Sequence, residues 1–258
     1  MYTTGKIIGN GGFGYVREGV GLHGEHVALK YIPKTNIGNQ MGMIPLEVAL
    51  MRDLRNVEGV IKIVNYWETA SEHVIVMERP ALSQDLLSYI REHGTLSEKK
   101  TKIIFRQLVD TLLRIHARGI CHRDLKPSNI ILDLTHKEPV VKIIDFGNAT
   151  RFDPQREDAT YTKFMGTEKY APPEWINHKK TYSRASDTWC LGVTLCEMVT
   201  GDFKHEWLAN GTLFIPKKLP TEFRRLLYGL LETCVSLRTK LINVHGTKWM
   251  QRKYHNYF

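Results

Sequence analysis

A chain of 258 residues, 42% hydrophobic and 24% charged, is long enough for one large domain or two lobes with a real core, and its composition excludes disordered, collagen-like and disulfide-scaffold classes. Its 36 Lys and Arg against 27 Asp and Glu give a net charge of +9, which admits phosphate-bearing ligands, but the cations are scattered in pairs such as Lys99-Lys100 and Arg224-Arg225, so a solvated surface is expected and nucleic acid is not. No stretch reaches the roughly 18 apolar residues of a membrane span, Met1 is followed by polar residues rather than a signal core, and Cys121, Cys190, Cys196 and Cys234 form no Cys-x-x-Cys pair, so buried thiols in a reducing cytoplasmic or nuclear setting are expected.

Residues 5–78 read mostly as short β-branched strands, at Lys6-Ile7-Ile8, Tyr15-Val16-Arg17-Glu18, His26-Val27-Ala28-Leu29-Lys30, residues 61–67 and residues 73–77, separated by Gly, Asn or charged turns. One helix interrupts them over residues 45–55, where Leu46, Leu50 and Leu54 recur at i, i+4, i+8. From Ser83 the period becomes helical, first over residues 85–93 and then over residues 97–118, where Ser97 precedes the stripe Ile104, Leu108, Leu112, Ile115. The expected fold is α+β: a small strand-rich lobe (residues 1–78), a joint at residues 78–83 and a larger helical lobe (residues 84–258), together a single domain and a monomer. A crevice between two such lobes is a natural ligand site.

The first chemical signal is Gly9-Asn10-Gly11-Gly12-Phe13-Gly14-Tyr15-Val16. Glycines in a turn between strands can bring bare N–H groups against phosphate oxygens. A dinucleotide fold would need a helix after them, and here a strand continues, which argues against it. Lys30 ends an apolar strand, and paired with Glu47 on the helix it would form a buried ion pair aiming an ammonium at nucleotide phosphates. The densest signal is Cys121-His122-Arg123-Asp124-Leu125-Lys126-Pro127-Ser128-Asn129, followed by Asp145-Phe146-Gly147. Asp124 could accept the proton of an attacking hydroxyl, and Lys126 could neutralise charge on the phosphoryl group in flight. Asn129 and Asp145 offer hard oxygen ligands for Mg²⁺.

With these parts in this order, the chain resembles the eukaryotic protein kinases from Gly5 to about Trp249. Later signals agree: Gly166-Thr167, Tyr170-Ala171-Pro172-Pro173-Glu174 and Ser186-Asp187-Thr188-Trp189. Within the kinases, Ile44-Pro45-Leu46-Glu47-Val48, Glu78-Arg79-Pro80 and Pro172-Pro173-Glu174-Trp175-Ile176 are similar to the Pim serine/threonine kinases. The resemblance implies a two-lobed kinase fold, ATP and Mg²⁺ as cofactors, and Ser/Thr hydroxyls of proteins as acceptors. It further implies that Thr167 shapes the site around Asp124, that Asp187 braces the turn at His122 and Arg123, and that Glu174 pairs with Arg238. The nucleotide is expected on the glycine loop, Phe13 included, and against Ile8, Val16, Ala28, Met77, Glu78, Asp85 and Ile131. Pro80 lacks the N–H that most kinases offer to adenine, so the Glu78 carbonyl would be the single hinge partner.

Two departures bear on control and specificity. Pim kinases carry acids where this chain has Pro127-Ser128 and Ser88, which leaves no basis for assuming a preference for basic substrates. The segment from Asn148 to Lys169 is longer and contains Thr160, Tyr161 and Thr162, with Glu157 and Asp158 available as negative charge for Arg123; constitutive activity is expected. A pseudokinase or scaffold would keep the fold and lose a catalytic group, and a small-molecule kinase would lack the docking segment; Lys30, Glu47, Asp124, Lys126, Asn129 and Asp145 are all present, as is Gly166-Thr167.

Overall fold

A computed structural model describes residues 2–12, 14–36, 40–41, 44–155, 160–163, 165–204 and 219–252. Phe13, Glu157, Asp158 and a short helix expected near residues 205–210 lie outside the described residues.

The first lobe is built on an antiparallel sheet of β1 (Thr3–Gly11), β2 (Gly14–Val20), β3 (His26–Pro33), β4 (Ile63–Glu68) and β5 (Glu72–Glu78), in the order β1-β2-β3-β5-β4. Side chains alternate across a strand, and β3 shows what this does. Val27 and Leu29 join Val74 and Val76 in a small outer cluster with Tyr2, Tyr31 and Trp67, whereas Ile32, Ile75 and Met77 face the main core. Lys30, one step from Leu29 and paired in register with Val16 and Ile75, therefore points inward. There it meets α1 (Leu46–Asp53), which buries Glu47, Val48, Leu50 and Met51. Eight residues make no stable helix alone; packing against the sheet holds this one.

The chain then forms β6 (Ser83–Asp85), α2 (Leu86–His93), α3 (Glu98–Ala117), β7 (Ile120–Cys121), β8 (Ile130–Asp133), β9 (Val140–Ile143), β10 (Thr150–Arg151), β11 (Thr160–Tyr161), α4 (Pro173–His178), β12 (Thr181–Tyr182), α5 (Ser183–Thr200), α6 (Thr221–Leu230) and α7 (Lys248–Gln251). Asp85 caps α2 by accepting the Ser88 N–H at 2.9 Å, and Ser97 caps α3 through Lys100 N–H at 3.3 Å, as their residue types favour. The stripe Ile104, Leu108, Leu112, Ile115 is fully buried, and α5 buries every residue from Ser186 to Met198, so it is the central helix of the lobe. β8 lies between β9 and β6, while β7 pairs with β10 and β11 with β12.

One core cluster runs from α1 through Val57, Val60, Ile61 and Phe146 into α3 and α5. The two lobes are tied at its waist by backbone bonds from Ile143 N–H to the Gly59 carbonyl (2.7 Å) and from Ile61 N–H to the Ile143 carbonyl (3.0 Å). Three cysteines are buried as expected, but Cys234 is exposed: it lies in the turns after α6, its sulfur 3.2 Å from the Ser236 hydroxyl. Among the described residues no helix is long and apolar enough to cross a membrane.

Candidate active site

A cleft of about 530 Å³ opens between the lobes. Ile8, Gly9, Gly11, Gly12, Gly14, Val16, Ala28, Lys30, Met77, Glu78, Asp85, Asn129, Ile131 and Asp145 all line it, with Ser88 and Ser128. Only one glycine of the loop is demanded by the fold. A Cβ on Gly14, whose φ is 153°, would stand 1.9 Å from the Tyr31 carbonyl oxygen. On Gly9 and Gly11 it would meet nothing closer than 3.8 and 3.9 Å, and on Gly12 nothing within 4 Å. Packing does not explain these three glycines; they leave an unobstructed backbone facing the cleft. At the joint, Glu78 N–H donates to the Lys62 carbonyl (2.9 Å), Arg79 N–H to the His26 carbonyl (3.2 Å), and Pro80 has no N–H. Residues 78–80 thus present no free backbone donor to the cleft.

Inside the cleft, Lys30 Nζ donates to both carboxylate oxygens of Glu47, at 2.7 and 2.9 Å, and to Asp145 Oδ1 at 2.8 Å. Burial opposes the charge on Lys30, but the two carboxylates outweigh it and hold the ammonium well above its ordinary pKa. Burial likewise works against Asp145, and Lys30 outweighs it, so its carboxyl titrates below its usual range. Asp145 Oδ1 takes these contacts together with Gly147 N–H at 3.4 Å. Phe146 beside it is fully buried, its ring edge-on to His122 at 5.0 Å.

Asp124 sits on the loop between β7 and β8. Its Oδ1 accepts the N–H and the hydroxyl of Thr167, both at 2.8 Å, and its Oδ2 accepts Lys126 Nζ at 2.8 Å. Lys126 also donates to the Thr167 hydroxyl at 2.5 Å. Asn129 donates its amide to the Asp124 carbonyl (2.8 Å) and to Oδ2 (3.3 Å), so its amide nitrogen serves Asp124 and its oxygen remains an acceptor. No cluster of three His, Cys, Asp or Glu side chains suited to a metal occurs among the described residues. One Asn oxygen and one carboxylate are a poor cage alone, yet they fit Mg²⁺, which takes few protein ligands and completes its shell with phosphate oxygens and water.

Arg123 (φ 66°) and Asp145 (φ 64°) are two of three described non-glycine residues in the left-handed region, a cost that surrounding contacts must impose. For Arg123 the contact is Asp187 on α5. This fully buried carboxylate accepts His122 N–H at 2.9 Å, Arg123 N–H at 2.7 Å and His116 Nε2 at 2.8 Å. His122 in turn accepts Asp124 N–H at Nδ1 (3.3 Å) and places Nε2 3.0 Å from the Ile144 carbonyl, which fixes its tautomer.

The structure therefore brings Lys30, Glu47 and Asp145 into one cluster and Asp124, Lys126, Asn129 and Thr167 into another; Glu174 meets Arg238 in a buried two-pronged pair at 2.9 and 2.7 Å. Asp85 lines the cleft and also caps α2. Sequence reasoning missed three residues. His116 supports Asp187, Asn148 reaches Asp124 Oδ2 at 3.4 Å, and Tyr161 packs its ring 4.7 Å from the Arg123 guanidinium. Only Asn148 had a usable signal, its position directly after Asp145-Phe146-Gly147.

Residues 2–250 match the family model of the protein kinase domain. The chain belongs to the protein kinase family. Among curated kinases it is 32% identical to serine/threonine-protein kinase pim-2 of Danio rerio, over 97% of this chain and 84% of that protein. It is 34% identical to serine/threonine-protein kinase prk-2 of Caenorhabditis elegans over 78% of this chain, and 30% identical to the PAS domain-containing serine/threonine-protein kinase of Mus musculus over 96%. The match spans 45% of the length of prk-2 and 18% of the mouse kinase. The two-lobed kinase fold and the similarity to Pim kinases stand as the sequence implied.

Proposed function

We propose that this kinase transfers the γ-phosphoryl group of ATP to serine or threonine hydroxyls of protein substrates. The observation that carries the reading is the Asp124 carboxylate, held at both oxygens by Thr167, Lys126 and Asn129 beside a cleft that contains the charged Lys30. Asp124 accepts and orients the proton of the acceptor hydroxyl. Lys126, within reach of both Asp124 and Thr167, offers positive charge to the phosphoryl group as it moves. Lys30, kept cationic and directed by Glu47, binds the nucleotide phosphates, and the bare loop at Gly9, Gly11 and Gly12 covers them. Asp145 and Asn129 would hold Mg²⁺, which when bound neutralises charge on the phosphate oxygens.

The same contacts support activity without prior modification. The Lys30–Glu47 pair is formed, Phe146 is buried, and Thr167 is seated on Asp124. Peptides that differ only in carrying Ser, Thr or Tyr, each with and without arginines before the acceptor, test the reading with labelled ATP. Label is expected on Ser and Thr, with a loss of about 10²-fold or more in Asp145→Asn. A wild type that is stabilised by nucleotide yet labels no peptide would identify a nucleotide-binding scaffold instead.

A further inference from the structure

We propose that Tyr161 is the positioning residue that orders the segment between Asp145 and Glu174 around Arg123 in the absence of any phosphate, through contact of its ring with the guanidinium. The proposal rests on the kinase reading, since what it positions is the Asp124 loop and Thr167.

The geometry centres on one guanidinium. Its carbon lies 4.7 Å from the centroid of the Tyr161 ring, and Nη2 donates to the Lys163 carbonyl at 2.5 Å. Among the described residues the Arg123 side chain forms no salt bridge with a carboxylate. The negative face of an aromatic ring and a carbonyl oxygen thus take the place that an anion could fill. Tyr161 is itself held at two further points. Its backbone pairs with Thr181 on β12, which runs directly into α5, the helix that carries Asp187. Its hydroxyl donates to the Arg151 carbonyl at 3.2 Å, and burial pushes that hydroxyl above the ordinary phenol range, so it stays a donor.

The contacts continue to the other half of the site. The Arg151 side chain pairs with Asp53 at the end of α1, and Arg118 donates to the Asp53 carbonyl at 2.8 Å. The same helix holds Glu47 against Lys30. Tyr161 therefore touches a residue adjacent to Asp124, while the end of α1 is held by Arg151 and Arg118 through bonds that do not involve the Tyr161 ring.

Hydrogen exchange on the phosphatase-treated full chain reads this contact directly. Tyr161→Leu keeps most of the bulk and removes the aromatic face; Tyr161→Phe keeps the face and removes the hydroxyl. Wild type and Tyr161→Phe are expected to protect the amides of residues 160–163 and 181–182 alike. Tyr161→Leu should exchange there about fivefold to thirtyfold faster, the range set by a cation–π contact of this kind. Its peptide turnover should fall by a similar factor with KM for ATP unchanged, because the contacts of Lys30 are untouched. Arg123→Asn, a residue type that accepts the left-handed backbone, should give the same rise, and the double variant no more than either single one. Exchange in Tyr161→Leu equal to wild type overturns the proposal, and so does Tyr161→Phe behaving like Tyr161→Leu. The expected exchange pattern in a wild type that phosphorylates no peptide supports the contact and overturns the kinase reading alone.

Discussion

Asp187 shows how much one side chain can fix. It has no exposure to solvent, and its three hydrogen bonds hold the His122-Arg123 turn in a conformation that non-glycine residues avoid. Burial alone would raise its pKa, but the hydrogen bond and charge of His116, with His122 adding to them, outweigh burial and hold it below the ordinary carboxylate value. A folded pKa below the unfolded one means that its contribution is present above the unfolded value, about 3.9, and is lost as pH falls through the folded value. Asp187→Asn, which turns an amide donor toward backbone donors, should cost about 3 kcal/mol at neutral pH. Chemical denaturation of wild type and variant should show that gap narrowing below about pH 4; a gap constant to lower pH would contradict the assignment. Asp187 was legible because it follows Ser186 and precedes Thr188-Trp189 in a known pattern. His116 was not: it sits beside the apolar stripe of α3 with no local mark, and the 71 positions to its partner are closed only by the fold. Tyr161 was read only as one residue of the longer segment after Asn148, because its ring meets Arg123 only once β11 has paired with β12.

Elements were legible where a period or a cap defines them. The helix read as residues 97–118 is Glu98–Ala117 because Ser97 and Arg118 are its caps, and the helix read as residues 45–55 is Leu46–Asp53 with Pro45 before it and Leu54 after it. Short ladders such as β7 with β10 and β11 with β12 have two residues on each side. They carry no periodic signal and exist only because loops are brought together, which is why the neighbourhood of Arg123 was the least readable part of the site. The joint between the lobes makes the sharpest prediction at this scale. With the N–H groups of Glu78 and Arg79 committed and Pro80 without one, cleft ligands that need both a donor and an acceptor there should bind weakly. Pro80→Ala should tighten them about 2- to 12-fold, the worth of one net hydrogen bond, measured by competition against nucleotide. Unchanged affinity would mean that the restored N–H does not face the cleft.

At the scale of the whole molecule, the two lobes of the kinase share one hydrophobic core. Its main core passes from α1 to α5 without interruption, so displacing the helix that carries Glu47 would open packed apolar contacts, each fully buried side chain being worth about 1.5–3 kcal/mol. Lys30 is seated by Glu47 and Asp145, and Asp124 by Thr167 and Lys126. We propose that this geometry suffices for transfer. Its most direct test is the initial rate of peptide phosphorylation by phosphatase-stripped protein, with autophosphorylation followed in parallel and Asp124→Asn as the floor. The stripped protein should keep its rate within about tenfold of the untreated enzyme and exceed Asp124→Asn by roughly 10²-fold or more. A larger fall, restored when Thr160 or Thr162 is rephosphorylated, would contradict the account and show that a phosphate completes the site.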